Sequence, residues 1–140
     1  MPPRPLTIFE NKVVRFLFFG AISAAFNIAL ITLIINQFHI ETALFRNLAN
    51  VIAIEISLLF TFLLYRIWVW RIKGWDIRTL LLKQLPKFHA ASGLVILMRM
   101  FVIFPVLDWL GVGYALNTLL GIAVGAAANY VFNDQIVFKN

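Results

Sequence analysis

The chain has no cysteine. Disulfide frameworks, thiolate metal sites and thiol nucleophiles are therefore excluded. Charge is scarce as well: 13% of the 140 residues are Asp, Glu, Lys or Arg, against about 25% in an average soluble domain. Six of these are acidic. The sequence also lacks paired carboxylates, a Ser-His-Asp set and a phosphate loop, so neither enzymatic activity nor a cofactor is expected. His39 and His89 fall on opposite sides of the expected topology with no carboxylate cluster beside them, which argues against a metal site.

What is abundant is apolar: 62% of the chain, including 14 Phe and 4 Trp, with a mean hydropathy of +0.91. At roughly 20 residues per bilayer crossing, this composition fills four spans and leaves no room for a separate soluble domain. The expected fold is an all-α integral membrane protein, one transmembrane domain over residues 1–140 with spans near 14–36, 47–70, 87–107 and 113–133. The first run is longer than a secretory h-region of about 7–15 residues and is read as an uncleaved span. Pro86 suits the first turn of the third, where its missing N–H costs nothing.

Orientation follows from the basic residues. Arg4, Lys12 and Arg15 precede the first span, Arg66, Arg71, Lys73, Arg78, Lys83 and Lys87 surround the connection between spans two and three, and Lys139 follows span four. Ten of the twelve basic residues thus share one side, and both termini are expected in the cytoplasm. The net charge of +6 is accounted for by topology and anionic headgroups rather than nucleic acid. Within the basic connection, Ile77, Leu80, Leu81 and Leu85 recur at helical spacing behind Asp76, which predicts a short cytoplasmic amphipathic helix anchored by Trp75. Thr7 and Glu10 have the spacing of a capping box, with Leu6 and Phe9 beside them.

The end of span two, Thr61 to Arg71, aligns with the end of the chain, Asn129 to Lys139; both finish apolar–Val–aromatic–basic. Lys87-Phe88 opens span three as Arg15-Phe16 opens span one. The four spans are expected as two parallel helical-hairpin repeats, an arrangement found in transporters and also produced by plain duplication of a stable hairpin.

On these residues the sequence resembles the GtrA-like membrane proteins: Arg15-Phe16 with Gly20 opens span one, Phe62 to Trp70 closes span two, and Asn129 to Phe138 closes span four. The family's closing motif reads Asn-Arg-x-Trp-x-Phe; here the first copy is Tyr65-Arg66-Ile67-Trp68-Val69-Trp70, without the Asn, and the second is Asn133-Asp134-Gln135-Ile136-Val137-Phe138, without the Arg and Trp. The resemblance implies a four-span protein of the bacterial inner membrane that flips a polyprenyl-phosphate-linked sugar for cell-surface polysaccharide glycosylation, beside a membrane glycosyltransferase that loads the lipid.

Such a ligand drags a phosphate and sugar hydroxyls through hydrocarbon, so cations and amides inside the spans are the candidate contacts. Arg99 is the deepest cation, and its planar fork suits phosphate. Asn27, Asn50, Asn117 and Asn129 are candidates for sugar hydroxyls, and Arg15 and Arg66 for first capture of the lipid near the cytoplasmic face. Glu55 matches Arg99 in depth, at roughly 12–14 Å from the outer helix ends by the ~1.5 Å rise; the two are read either as a structural ion pair or as part of the transport site. Intramembrane Asn and Ser also bridge helices. The Gly121–Gly125 stripe packs span four on a neighbour, in the same chain or in a second copy of a homo-oligomer. Two further readings remain: an adaptor that recruits the glycosyltransferase without transporting, and a small multidrug-resistance-like exporter, against which stand the absence of a carboxylate in span one and the presence of Arg99.

Overall fold

Where no water reaches the backbone, an apolar run satisfies its peptide groups only by closing them on itself. The computed structural model describes residues 8–139, and within them every regular element is helical. Four helices are long and apolar enough to cross a bilayer: α1 (Lys12–Gln37), α2 (Ala43–Val69), α3 (Ile77–Trp109) and α4 (Tyr114–Val137). Large apolar side chains such as Leu17, Ile28, Leu33, Leu94, Phe101 and Leu119 point outward, as lipid solvation allows and water does not. The protein is a multi-pass membrane protein.

The chain divides into two compact units, Met1–Lys73 and Gly74–Asn140, and each is a helical hairpin. In the first, a short turn at Ile8–Glu10 leads into α1. The Oδ1 of Asn11 accepts the Val13 N–H at 2.9 Å and caps the helix; the Thr7 and Leu6 of the expected capping arrangement lie outside the described residues. Ala49, Ala53 and Ser57 recur every fourth position on α2 and are buried, which lets the two helices approach closely. Phe16, Tyr65 and Trp70 form an aromatic cluster at the termini end, with ring centroids 4.9 to 6.1 Å apart.

In the second unit, Asp76 accepts from the Thr79 hydroxyl and from the Arg78 N–H. The Thr79 bond above all holds this carboxyl below the usual Asp range. The segment expected as a separate amphipathic helix is helical from Ile77 but runs without a break into the third span. Pro86 opens the regular stretch Leu85–Met98, yet the chain before it is already helical.

Two widened, π-type turns explain how α3 tolerates its prolines. At Leu80–Gln84 and at Arg99–Ile103 the hydrogen bonds skip one residue, so that Leu85 N–H reaches the Leu80 carbonyl and Phe104 N–H reaches the Arg99 carbonyl. A proline follows immediately in both cases, Pro86 and Pro105. Its ring pushes away the carbonyl four residues back and its nitrogen donates nothing; the extra residue in the preceding turn absorbs that clash.

The repeat is visible in the backbone of each unit. Both α2 and α4 end in a widened turn at aligned positions, Tyr65–Val69 and Asn133–Val137, with Trp70 N–H and Phe138 N–H each bonding five residues back at 2.9 Å. Both α1 and α3 end with a left-handed residue and a bond from the next N–H to the carbonyl five residues earlier, Ile40 to Ile35 and Val112 to Leu107. The left-handed residue is Gly111, φ 77°, in one hairpin and His39, φ 48°, in the other.

Candidate functional site

Arg99 begins the second widened turn of α3. Its side chain lies across α4 at Gly121: a Cβ built there would meet Arg99 Nε at 3.2 Å and Cγ at 3.7 Å. One turn on, a Cβ at Gly125 would meet Val95 at 3.6 Å. The small-residue stripe therefore packs on α3 of its own hairpin, and its lack of side chains makes the space in which the guanidinium lies.

Arg99 borders two grooves. One, about 210 Å³, runs between α3 and α4 and is lined by Val95, Arg99, Gly121, Gly125 and Asn129 among others. The other, about 400 Å³, is apolar apart from Arg99 and is lined by Ile96, Met100 and Phe104. The hydrogen bonds of this unit among the described residues do not engage the Arg99 guanidinium. A half-buried cation, an amide and two glycines thus share one groove about 15 Å from the hairpin end of α3, at ~1.5 Å per residue. That is a place where an anionic oxygen can be met by a planar donor fork in low dielectric.

The other amides expected to contact ligand are tied to neighbouring helices to different degrees. Asn117, 1% exposed, donates its Nδ2 to the Phe104 carbonyl at 3.1 Å and pins α4 to α3. In the first unit Asn27 donates to Ser57 Oγ at 2.9 Å and to the Ala53 carbonyl at 3.4 Å, bridging α1 and α2. A groove of about 300 Å³ opens beside it, lined also by Ser23 and Thr61. Asn50 and Glu55 are exposed on α2; Glu55 belongs to the first unit and Arg99 to the second.

Arg15 and Arg66 are buried at the termini end of the first hairpin, 8% and 4% exposed. Arg15 donates from Nη1 to the carbonyls of Phe9 and Glu10 and from Nη2 to that of Val69, all at 2.8 Å. It ties the entry turn to the end of α2, where the widened turn has turned a carbonyl inward.

One buried residue behind the α3–α4 groove enters the sequence reading only as a member of the closing motif, with no role at a site. Asn133, fully buried, donates its Nδ2 to both the carbonyl and the Oδ1 of Asn129, at 2.7 and 2.9 Å. The signals pointing to it are its place as the Asn of the closing motif, its spacing of four from Asn129 and its alignment with Tyr65 in the repeat.

A family model described as GtrA/DPMS, transmembrane domain, matches residues 15–138. The chain belongs to this family. A GtrA/DPMS domain associates it with polyprenyl-phosphate sugar translocation. The match spans both hairpins and takes in Arg99, Asn129 and Asn133 together. Among curated proteins no relative matches the chain.

Proposed function

We propose that this GtrA/DPMS protein translocates a polyprenyl-phosphate-linked sugar across the bacterial inner membrane, with both termini in the cytoplasm and a membrane glycosyltransferase supplying the loaded lipid. The observation that carries the reading is Arg99, a guanidinium laid over Gly121 in a groove that it shares with Asn129. An ionisable group inside a span costs roughly 2.5–3.5 kcal/mol on insertion scales, a cost that an anionic headgroup at the site offsets. In this reading the phosphate meets Arg99 and Asn129, and the polyprenyl tail stays in lipid while the head moves.

The basic residues between Arg66 and Lys87 suit both a transporter's headgroup attraction and an adaptor's docking surface. Reconstitution separates the two functions. Purified protein in vesicles with a labelled polyprenyl-phosphate sugar in one leaflet is expected to equilibrate the label between leaflets, and Arg99→Gln to abolish this while inserting normally. Label that stays in its leaflet with the native protein, or moves equally well with Arg99→Gln, overturns the proposal.

A further inference from the structure

The orientation of the Asn129 amide is fixed from behind. The backbone carbonyl of Asn129 can only accept, so the Asn133 atom 2.7 Å from it must be the NH2 group. That same NH2 lies 2.9 Å from the Asn129 side chain, and a donor there requires Oδ1 rather than Nδ2 of Asn129 to face it. Asn129 therefore turns its own NH2 away from Asn133, and the hydrogen bonds among the described residues give that NH2 no acceptor. It shares the groove wall with Arg99, the two glycines and the apolar Val95, Ile96, Ile122 and Ala126, none of which brings a side-chain acceptor. An amide free to rotate would present oxygen or nitrogen in turn; this one presents only donors.

Asn133 itself is held at a cost. It is wholly buried, and its Oδ1 has no hydrogen-bond partner among the described residues. An apolar side chain of similar size would avoid stranding that oxygen. The aligned position in the first hairpin carries Tyr65, and the position aligned with Asn129 carries Thr61, whose hydroxyl is turned to the Ser57 carbonyl. The amide pair is thus particular to the hairpin that contains Arg99.

We infer that Asn133 is a positioning residue for phosphate recognition: by locking the Asn129 amide with its NH2 toward the groove, it makes the wall beside Arg99 donor-only and suited to a phosphate oxygen. This rests on the functional reading above and names a residue outside it. Asn129 touches the phosphate; Asn133 acts through Asn129.

The test is a double-mutant cycle on the full chain in nanodiscs, with a short-chain polyprenyl phosphate as probe and inorganic phosphate as a second. Asn129→Leu and Asn133→Leu are each expected to weaken binding about tenfold or more, and the double variant to bind no more weakly than Asn129→Leu alone. Asn129→Asp keeps the bond from Asn133 but sets a carboxylate against Arg99, and it is expected to abolish binding without any change at position 133. The same order of variants is expected with whichever probe binds; binding of the polyprenyl phosphate alone identifies the lipid as the source, and binding of both a free anion as well. Wild-type-like binding by Asn133→Leu or Asn129→Asp, or multiplied effects in the double variant, overturns the inference. If the native chain binds neither probe, or Arg99→Gln binds as well as the native chain, the functional reading itself fails.

Discussion

Two single positions decide how much of the chemistry survives substitution. Gly121 matters for the atom it lacks: with Arg99 Nε 3.2 Å from where its Cβ would sit, a methyl moves the flexible guanidinium by a few tenths of an ångström, while a larger side chain displaces it. Gly121→Leu is expected to lower leaflet exchange at least tenfold with the amount of inserted protein unchanged, measured as transport against membrane-extracted yield. Asp76 provides the pH-dependent element. Its carboxyl is held low chiefly by the Thr79 hydroxyl, so the cap is present above the unfolded Asp value of about 3.9. It is lost as the pH falls through the lower folded value. Hydrogen exchange at the Arg78 and Thr79 amides should show constant protection from neutral pH down to about 4 and release below it. Asp76→Ala should remove both the protection and its pH dependence.

At the scale of helices, the widened turn before Pro105 fixes where Arg99 points. Taking the ring away from residue 105 removes the clash that the turn absorbs and restores an N–H that can bond four residues back. Pro105→Ala is then expected to let α3 close to regular α geometry, rotating Arg99 by about one residue, ~100°, against the segment beyond it. Transport should fall while the thermal midpoint holds or rises; an unchanged transport rate would separate the turn from the site. The turn at the end of α1 gives a simpler case. His39 sits at φ 48°, where a non-glycine residue is disfavoured by roughly 1–2 kcal/mol, and the matching turn of the second hairpin has Gly111. His39→Gly is expected to stabilise the first hairpin by up to about 1 kcal/mol after the glycine's own chain entropy is counted, read from unfolding in detergent. These elements also mark what a sequence can tell. The four spans follow from unbroken apolar runs, and the repeat from aligned closing motifs whose widened turns start at Tyr65 and Asn133. The bond skips before Pro86 and Pro105 do not follow, because a proline alone is compatible with a kink, a break or a wider turn. Nor does the continuity of α3 from Ile77, since amphipathic spacing is the same whether the segment ends or runs on. That Arg99 lies on Gly121 does not follow either, and the closing motif names Asn133 without marking its bond to Asn129, a contact between two side chains one helical turn apart.

For the molecule as a whole, four helices carry little polar surface, and that surface is unevenly divided. The first hairpin uses Arg15 to hold backbone carbonyls and Asn27 to bridge helices; the second sets Arg99 and Asn129 in one groove. A ligand that is part anion and part polyol, with a tail that never leaves lipid, fits such a protein better than a soluble ion does. Membership of the GtrA/DPMS family agrees with that chemistry. The central claim is that the Arg99 guanidinium contacts the lipid phosphate during crossing. Solid-state NMR of proteoliposomes, with ¹⁵N in the arginine side chains and the native ³¹P of a polyprenyl-phosphate sugar, measures that contact. The expected result is a nitrogen–phosphorus distance of about 4 Å, as a charge-assisted N–H···O bond dictates, lost in Arg99→Lys at the guanidinium shift. A lipid phosphorus that crosses the membrane without coming near the guanidinium of Arg99 would contradict it.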